Sequence, residues 1–276
     1  MNYKQLKTLA ILCMVFDHAV RIFPLYRMFA PLADWLWARG RGAAADWLLD
    51  GLPLYLMLIG RLAAPIFLFC IAQGLLHTRD VKSYLRRILL TALAAQVPYA
   101  LFDLAVCRLY GMAETWGWQD VGLNICFTLA LGLAALAVYR HLAERVHPLS
   151  WVVVCAAATA LARLLSMEGS RGYILLIFTF YLTRNRPRWQ RALWFLPAVV
   201  LSRWGLVQWV LEDFTTGAIR NCLLNMGGNY LGMVVTLAYN GEKGAAGRGF
   251  QRFMYAFYPA HFALLALISL LLPPLV

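Results

Sequence analysis

Charged residues are scarce in this sequence, and acidic residues are scarcer than basic ones. Asp, Glu, Lys and Arg make up 14% of the 276 residues, whereas soluble proteins contain about 25%. Apolar residues make up 62%, and the mean hydropathy is +0.65. One aqueous core cannot bury so large an apolar excess, because single cores stop growing near about 250–300 residues. The composition therefore excludes an ordinary soluble domain and predicts an integral membrane protein.

Several motifs of catalysis and metal binding are also missing. The sequence has no GxxxxGK[ST] phosphate loop, no HExxH zinc motif and no GxSxG nucleophile elbow. Its six cysteines form no CxxC pair, and most of them lie inside apolar runs. Histidine and cysteine do not recur at the spacing of metal ligands. The sequence therefore predicts no bound metal, and histidine-based chemistry remains as the enzymatic option.

The apolar residues are grouped in blocks long enough to cross a bilayer as helices, which takes about 20 residues. We expect an all-α transmembrane bundle of about nine spans, forming one integral membrane domain over residues 1–276. The sixth and eighth blocks are short, and we expect steep, broken or re-entrant helices there. The predicted spans are 6–23, 52–76, 84–106, 121–139, 149–165, 172–183, 192–211, 225–239 and 253–272.

Lys and Arg are concentrated in the connections that share one side of the membrane with the N-terminus. By the positive-inside rule this side is the cytoplasm, and we expect the bacterial cytoplasmic membrane. The net charge of +12 is then a signal of topology and of contact with anionic lipids, not of nucleic-acid binding. Residues 25–50, which carry Trp35, Trp37 and Trp47 among charged residues, predict an outer loop or interfacial helix.

Ionisable residues inside the predicted spans are costly in hydrocarbon and are therefore candidates for function. Asp17 and His18 lie in the first span, with His18 about 15 Å deep. Arg61 in the second span requires an acidic partner or an anionic ligand, and Asp17 is its first candidate partner. His261 lies at a similar depth in the last span. A general base at His18 is one interpretation, and an Asp–Arg pair with a hydrogen-bonded histidine is the other.

A second polar group is predicted at the cytoplasmic ends of the second and eighth spans. A basic mouth with hydrogen-bonding groups suits a phosphate-bearing cofactor. Ordinary positive-inside flanking residues would show the same composition. The group consists of Gln73, His77, Thr78, Arg79, Asn240, Gly241, Glu242 and Lys243.

Six segments, in this order along the whole chain, resemble the TraX family of integral membrane proteins. One position departs from the family, which often has Asp-Tyr-Gly before the sixth span where this chain has Met-Glu-Gly at 167–169. The role of this outer turn is therefore left open. The six segments are LK at 6–7 with DH at 17–18, GRLAAPIF at 60–67, GLLHTR at 74–79, LNICFTL at 123–129, YNGEKG at 239–244 and FYPAH at 257–261.

The resemblance implies an acyltransferase that is similar to membrane acyltransferases of the acyltransferase-3 type. The family's namesake is associated with N-acetylation of conjugative pilin. By this resemblance the donor would be a cytoplasmic acyl-CoA, with acetyl-CoA as the expected cofactor. The acceptor would be a peptide amine, a glycan hydroxyl or a small metabolite reached at or across the membrane.

The resemblance also implies a role for each matching residue. His18 would be the general base, and Asp17 would orient or polarise it. Three groups of residues follow. The catalytic group is Asp17, His18, Arg61 and His261; the cofactor-binding group is His77, Thr78, Arg79, Asn240, Glu242 and Lys243; the substrate-binding group is Asn124, Thr128 and Tyr258.

Two other functions fit the same residues. A small proton-coupled transporter would also place Asp, His and Arg near the middle of the membrane. A non-catalytic membrane assembly protein would tolerate neutral replacements at Asp17, His18 and Arg61, and it would present an interface to a partner. Flux of a substrate, dependence on acyl-CoA and binding of a partner distinguish the three functions.

Overall fold

The chain folds into helices joined by turns and loops of different lengths. The computed structural model describes residues 1–23, 25–170, 172–245 and 247–273. Within these ranges the one strand-type pairing is an isolated parallel bridge between Leu123 and Met167. The all-α class is therefore confirmed. The helices are α1 (Tyr3–Ile22), α2 (Leu25–Trp37), α3 (Gly42–Asp46), α4 (Leu52–Gly60), α5 (Ala63–His77), α6 (Val81–Leu109), α7 (Ile125–Arg145), α8 (Ser150–Leu164), α9 (Tyr173–Leu182), α10 (Arg188–Ser202), α11 (Trp204–Glu212), α12 (Thr216–Val235) and α13 (Arg248–Leu270).

In the part of the chain that the structure describes, four helical segments are long and apolar enough to cross a membrane. Two bent pairs, α1 with α2 and α10 with α11, raise the number to six if each pair is one span. Helices α8 and α9 are apolar but shorter, with 15 and 10 residues. The structure thus supports a helical membrane bundle, while the count of about nine spans stays a prediction. The four segments are Gly42–His77, Val81–Leu109, Ile125–Arg145 and Arg248–Leu270.

The helices begin where side chains can satisfy the free N–H groups of the first turn. A reciprocal pair caps α1, since Asn2 Oδ1 accepts from the Gln5 N–H and Gln5 Oε1 accepts from the Asn2 N–H. Asp80 caps α6 by accepting from the Ser83 N–H at 2.9 Å, and hydrogen bonds from Ser83 lower the pKa of the Asp80 carboxyl. Asn124 caps α7 in the same way.

The N-terminus is held against the connection between α12 and α13. The Met1 ammonium donates to the Ala238 carbonyl at 2.5 Å, and the Asn240 N–H donates to the Met1 carbonyl at 2.9 Å. The Tyr3 N–H donates to the Glu242 carbonyl at 2.9 Å. Two segments that the sequence assigns to the same side of the membrane therefore share one end of the bundle.

The segment after α1 forms a small helical unit of its own. Ala33 of α2 packs with Ala45 and Leu49, while Trp35 and Trp47 are exposed. A π-helical turn at Trp47–Gly51 connects α3 to α4. The tryptophan-rich segment is therefore helical, as one of the two sequence interpretations expected.

Two glycines let α12 approach the break between α4 and α5. A Cβ atom on Gly228 would lie 2.7 Å from Arg61 Cβ, and one on Gly232 would lie 2.8 Å from the Leu62 carbonyl oxygen. Both contacts are shorter than real Cβ contacts, so any side chain here would push the helices apart. This GxxxG spacing is the one that permits close helix packing in membranes. It places Arg61 at a tightly packed crossing.

We expect Gly228→Ala to destabilise the protein by about 1–3 kcal/mol, the cost of overpacking a close contact. Gly227→Ala is the matched control, because no atom lies within 4 Å of a Cβ at that position and alanine favours the helix. Thermal unfolding of both variants in the same detergent measures the difference. Equal melting temperatures would contradict the close crossing of α12 with α4 and α5.

Candidate functional site

A cavity of about 510 Å³ lies inside the bundle. Tyr3 and His18 of α1 both line it, so it extends about 22 Å along that helix at 1.5 Å per residue. Its wall also includes residues of α4, α5, α6, α7 and α13. The cavity begins near the N-terminal end of the bundle and ends among the ionisable residues of the spans.

We call Asp17, His18, Arg61, Glu168, Tyr258 and His261, together with Arg21, the polar cluster. It lies at the end of the cavity where Asp17 and Tyr258 are buried, which we call the closed end, and all of its members except Arg21 and His261 line the wall. The Arg21 guanidinium donates to Asp17 Oδ2 at 2.9 Å, one turn along α1. Arg61 Nη1 lies 3.8 Å from Asp17 Oδ1. Asp17 is thus the acidic partner that the sequence suggested for Arg61, and it serves two arginines.

The two histidines of the cluster are in direct contact. His18 Nδ1 lies 3.0 Å from His261 Nε2, and His261 Nδ1 lies 3.2 Å from the Phe257 carbonyl oxygen. A carbonyl can only accept, so His261 Nδ1 carries a proton. In the neutral pair His18 Nδ1 then donates to His261 Nε2, which leaves His18 Nε2 as an acceptor. The four predicted catalytic residues are therefore neighbours, and their catalytic role stays a prediction.

Aromatic rings enclose the histidine pair. The His18 ring centroid lies 4.6 Å from that of Phe262 and 5.4 Å from that of Phe102. The rings of His261 and Phe257 are stacked with an angle of 4° between their planes. Packing on several sides fixes both imidazoles at the place where α1, α6 and α13 meet.

Glu168 joins the cluster from the turn between α8 and α9, whose role the sequence left open. Its carboxylate accepts from the Ile125 N–H at 3.1 Å, and its carbonyl accepts from the Thr128 hydroxyl at 2.6 Å. Ser166 and Gly169 on either side have φ values of 48° and 70°, and this tight turn directs Glu168 towards the cavity. In the sequence, the acidic residue of Met-Glu-Gly at 167–169 was the feature that could have indicated this member of the cluster.

The three predicted substrate-binding residues have separate roles. Tyr258 lines the cavity, and its Oη has no hydrogen-bond partner. Asn124 is fully buried; its Nδ2 donates to the Ala92 carbonyl and to Gln96 Oε1, both at 2.8 Å. Thr128 is also fully buried, against Glu168. Asn124 and Thr128 lie outside the cavity lining, and they hold the start of α7 in place.

The open end of the cavity, which we call the mouth, is basic. Part of the predicted cofactor-binding group lies here, namely His77, Thr78 and Lys243. Two further cations that the sequence analysis did not select, Lys7 and Arg87, also line it. Among the lining residues that the structure describes, the acidic ones are Asp17 and Glu168, both at the closed end.

The other half of the predicted cofactor-binding group lies away from the cavity wall. Asn240 and Glu242 interact with each other, since Asn240 Nδ2 donates to Glu242 Oε2 at 2.9 Å. The carbonyl of Glu242 also anchors the start of α1. Arg79 is exposed in the turn between α5 and α6. These residues shape the end of the bundle around the mouth without lining it.

Comparison with known proteins identifies the family. A family model described as TraX protein matches residues 2–269. The chain belongs to the TraX family. A curated relative, "Probable fimbrial assembly protein FimC, serogroup H1" from Dichelobacter nodosus, is 29% identical over 265 residues, covering 95% of this chain and 93% of the relative. No solved structure matches this TraX-family chain significantly.

These comparisons contradict the predicted function of an acyl-CoA-dependent acyltransferase. The relative is named for fimbrial assembly, and its similarity extends over nearly the whole chain. The contacts also explain the intramembrane charges without a reaction. Asp17, which was expected to orient or polarise His18, accepts its hydrogen bond from Arg21 and faces Arg61. The charged residues that suggested catalysis are therefore used in stabilising one another, which favours the assembly alternative.

The comparisons do not test the more detailed expectations that the resemblance implied. Membership of the TraX family is confirmed, whereas the similarity to acyltransferases of the acyltransferase-3 type stays a prediction. The acetyl-CoA donor and the acceptor stay predictions of the sequence in the same way.

We expect Asp17 and Arg61 to be energetically coupled. Asp17→Asn leaves Arg61 without its acidic partner, and Arg61→Gln leaves Asp17 with Arg21 alone, so the double variant should cost less stability than the sum of the two single variants. The coupling free energy should be on the order of 0.5–3 kcal/mol. A double-mutant cycle on thermal unfolding in detergent measures it. The same cycle with Arg21→Gln in place of Arg61→Gln is the comparison, because the Arg21 side chain is 43% exposed and the Arg61 side chain is 24% exposed. Additive costs at positions 17 and 61 would contradict the pair.

Proposed function

We propose that this chain is a non-catalytic membrane protein that assists the assembly of a fimbria or a related surface filament. The observation that carries the proposal is the similarity to a probable fimbrial assembly protein over 95% of the chain. Because the match covers 93% of the relative as well, the two proteins correspond over nearly their whole lengths. The proposal therefore concerns the whole bundle and not one segment of it.

The polar cluster supports a structural role. Asp17 interacts with two arginines, and His18 interacts with His261. Polar pairs between helices hold a membrane bundle in one arrangement, because hydrocarbon offers no other partners. A factor that must present a constant surface to filament subunits inside the membrane requires such an internal framework.

We also propose that the N-terminus faces the cytoplasm, within a bundle of about nine spans. The distribution of Lys and Arg among the connections supports this orientation. The N-terminus lies beside residues 238–242, so both segments must share that side. The short apolar helix α9, which is almost entirely buried, would lie in the shelter of its neighbours.

Reporter fusions test this topology. Green fluorescent protein should fluoresce when fused after Lys243, since that connection is proposed to be cytoplasmic. Alkaline phosphatase should be active when fused after Glu114, in the connection between α6 and α7 on the opposite side. Measurement of both reporters at both positions gives the orientation, and reversed activities would overturn it. Fusions at the other connections would count the spans.

Deletion of the gene in a fimbriated host tests the assembly function. We expect a several-fold loss of surface fimbriae by electron microscopy, while the fimbrial subunit still accumulates in the membrane. The intact mass of the subunit should be the same with and without the gene, because no group is transferred. Complementation with His18→Gln should restore the fimbriae.

Three outcomes would contradict this proposal. An unchanged number of fimbriae in the deletion strain would exclude a role in assembly. A change in subunit mass would reveal a chemical modification in place of assembly. Failure of a folded His18→Gln variant to restore the fimbriae would show that the imidazole has chemistry to perform.

A further inference from the structure

We propose that the cavity binds a linear amphiphile with an anionic head group at the mouth, an apolar chain along the middle and a hydrogen-bonding group at its far end. The inference rests on the charges, width and unpaired atoms of the cavity. It does not depend on the proposed role in assembly.

The mouth has the charge that an anionic head group requires. Lys7, Arg87 and Lys243 line it, together with His77. Two of these cations are held over aromatic rings, with Lys7 Nζ 4.6 Å from the ring centroid of Tyr3 and Arg87 Cζ 5.8 Å from that of Tyr84. Phosphate and carboxylate groups form charge-assisted hydrogen bonds with such residues.

The middle of the cavity is apolar. Lys7 at the mouth and Asp17 at the closed end are separated by about 15 Å along α1, and Ile11 and Met14 line the wall between them. A hydrophilic chain would find few partners along this stretch, whereas an apolar chain would be removed from water. Other helices contribute further apolar residues to the wall, among them Ile88, Leu129 and Phe257.

The width of the cavity limits its occupant to a single chain. A volume of about 510 Å³ spread evenly over a length of about 22 Å gives a mean section of roughly 23 Å² that the centres of ligand atoms can occupy. An α-helix with its side chains is about 10–12 Å in diameter and would not fit. A linear chain fits this space, and a helix of a protein partner does not.

The closed end contains buried polar atoms that form no hydrogen bond. Tyr258 and Asp17 are 7% and 8% exposed, yet Tyr258 Oη and Asp17 Oδ1 form no hydrogen bond. Both residues line the cavity, and in the neutral histidine pair His18 adds an acceptor beside them. Buried polar groups are nearly always paired. A hydroxyl or amide at the far end of the ligand would supply the missing partner, whereas a methyl end would not.

Four probes test the class of ligand with the full-length chain in nanodiscs of zwitterionic lipid. They are ω-hydroxydodecyl phosphate, dodecyl phosphate, dodecyltrimethylammonium and inorganic phosphate. We expect binding to be tightest for the hydroxyl-ended phosphate, weaker for dodecyl phosphate and weakest for the cationic probe and inorganic phosphate. Equal binding of the anionic and cationic amphiphiles would overturn the proposal. Binding of inorganic phosphate as tight as that of the amphiphiles would show a site for free phosphate instead.

Paired variants distinguish the cavity from the surrounding lipid. Lys7→Gln with Lys243→Gln should weaken both phosphate amphiphiles about tenfold, which corresponds to about 1.4 kcal/mol. Lys4→Gln with Arg248→Gln is the matched control, because both cations lie near the same end outside the cavity lining. Equal effects of the two pairs would show binding to the general surface charge and overturn the site. If the first pair does not fold, Arg87→Gln tests the same head-group contact.

The far end of the ligand is tested by Tyr258→Phe. This variant should remove the preference for the hydroxyl-ended phosphate over dodecyl phosphate, while the binding of dodecyl phosphate itself stays unchanged. A preference that survives in this variant, and also in Asp17→Asn, would overturn the contact with the polar cluster. Thermal unfolding without ligand confirms that each variant is folded.

Discussion

The cost of placing charge in hydrocarbon is the constraint on which the bundle depends. Asp17 lies between Arg21 and Arg61, so these three charges inside the bundle offset one another. The pairing demands that α1 and the α4–α5 segment lie very close. Gly60 meets this demand, because a Cβ there would lie 2.5 Å from Asp17 Cβ. The small residues of the crossing and the ion pair are therefore parts of one arrangement, and each requires the other.

Charge is distributed unevenly along the cavity that this arrangement encloses. Cations surround the mouth, an apolar stretch follows, and both acidic lining residues lie at the closed end beside the histidine pair. The two ends are polar for different reasons. The mouth lies at the end of the bundle beside the N-terminus, whereas the polar cluster lies within the spans and holds Asp17 against Arg21 and Arg61. Three buried atoms of the cluster, Asp17 Oδ1, Arg61 Nε and Tyr258 Oη, still form no hydrogen bond, and they mark where a polar group of a ligand would bind.

The wrong prediction of an acyltransferase has a physical explanation. Asp, His and Arg in the middle of a membrane are expensive, and catalysis and helix pairing are both sufficient reasons to retain them. Residue types and depths are the same in the two cases, so they do not distinguish them. The partner of each group does distinguish them. Asp17 interacts with arginines and not with the imidazole it was expected to orient or polarise, and the similarity to a fimbrial assembly protein agrees with that structural use.

The sequence by itself determined the membrane class, the helical architecture and the most important neighbours of the site. An apolar excess in blocks of span length leaves only helices as a solution here, because backbone groups in hydrocarbon must bond within their own segment. Depth along the spans also brought His18 and His261 to the same level, and they are in contact.

Only the tertiary structure decided which way each side chain points. Asn124 and Thr128 serve the start of α7, while Lys7 and Arg87 face the cavity. The Glu168 side chain reaches the cavity because it lies in a tight turn with two positive φ values. Each helix can rotate about its axis and each turn can redirect its residues without any change in the hydrophobic pattern. Packing against the other helices determines these rotations and directions, and the hydrophobic pattern of the sequence does not show that packing.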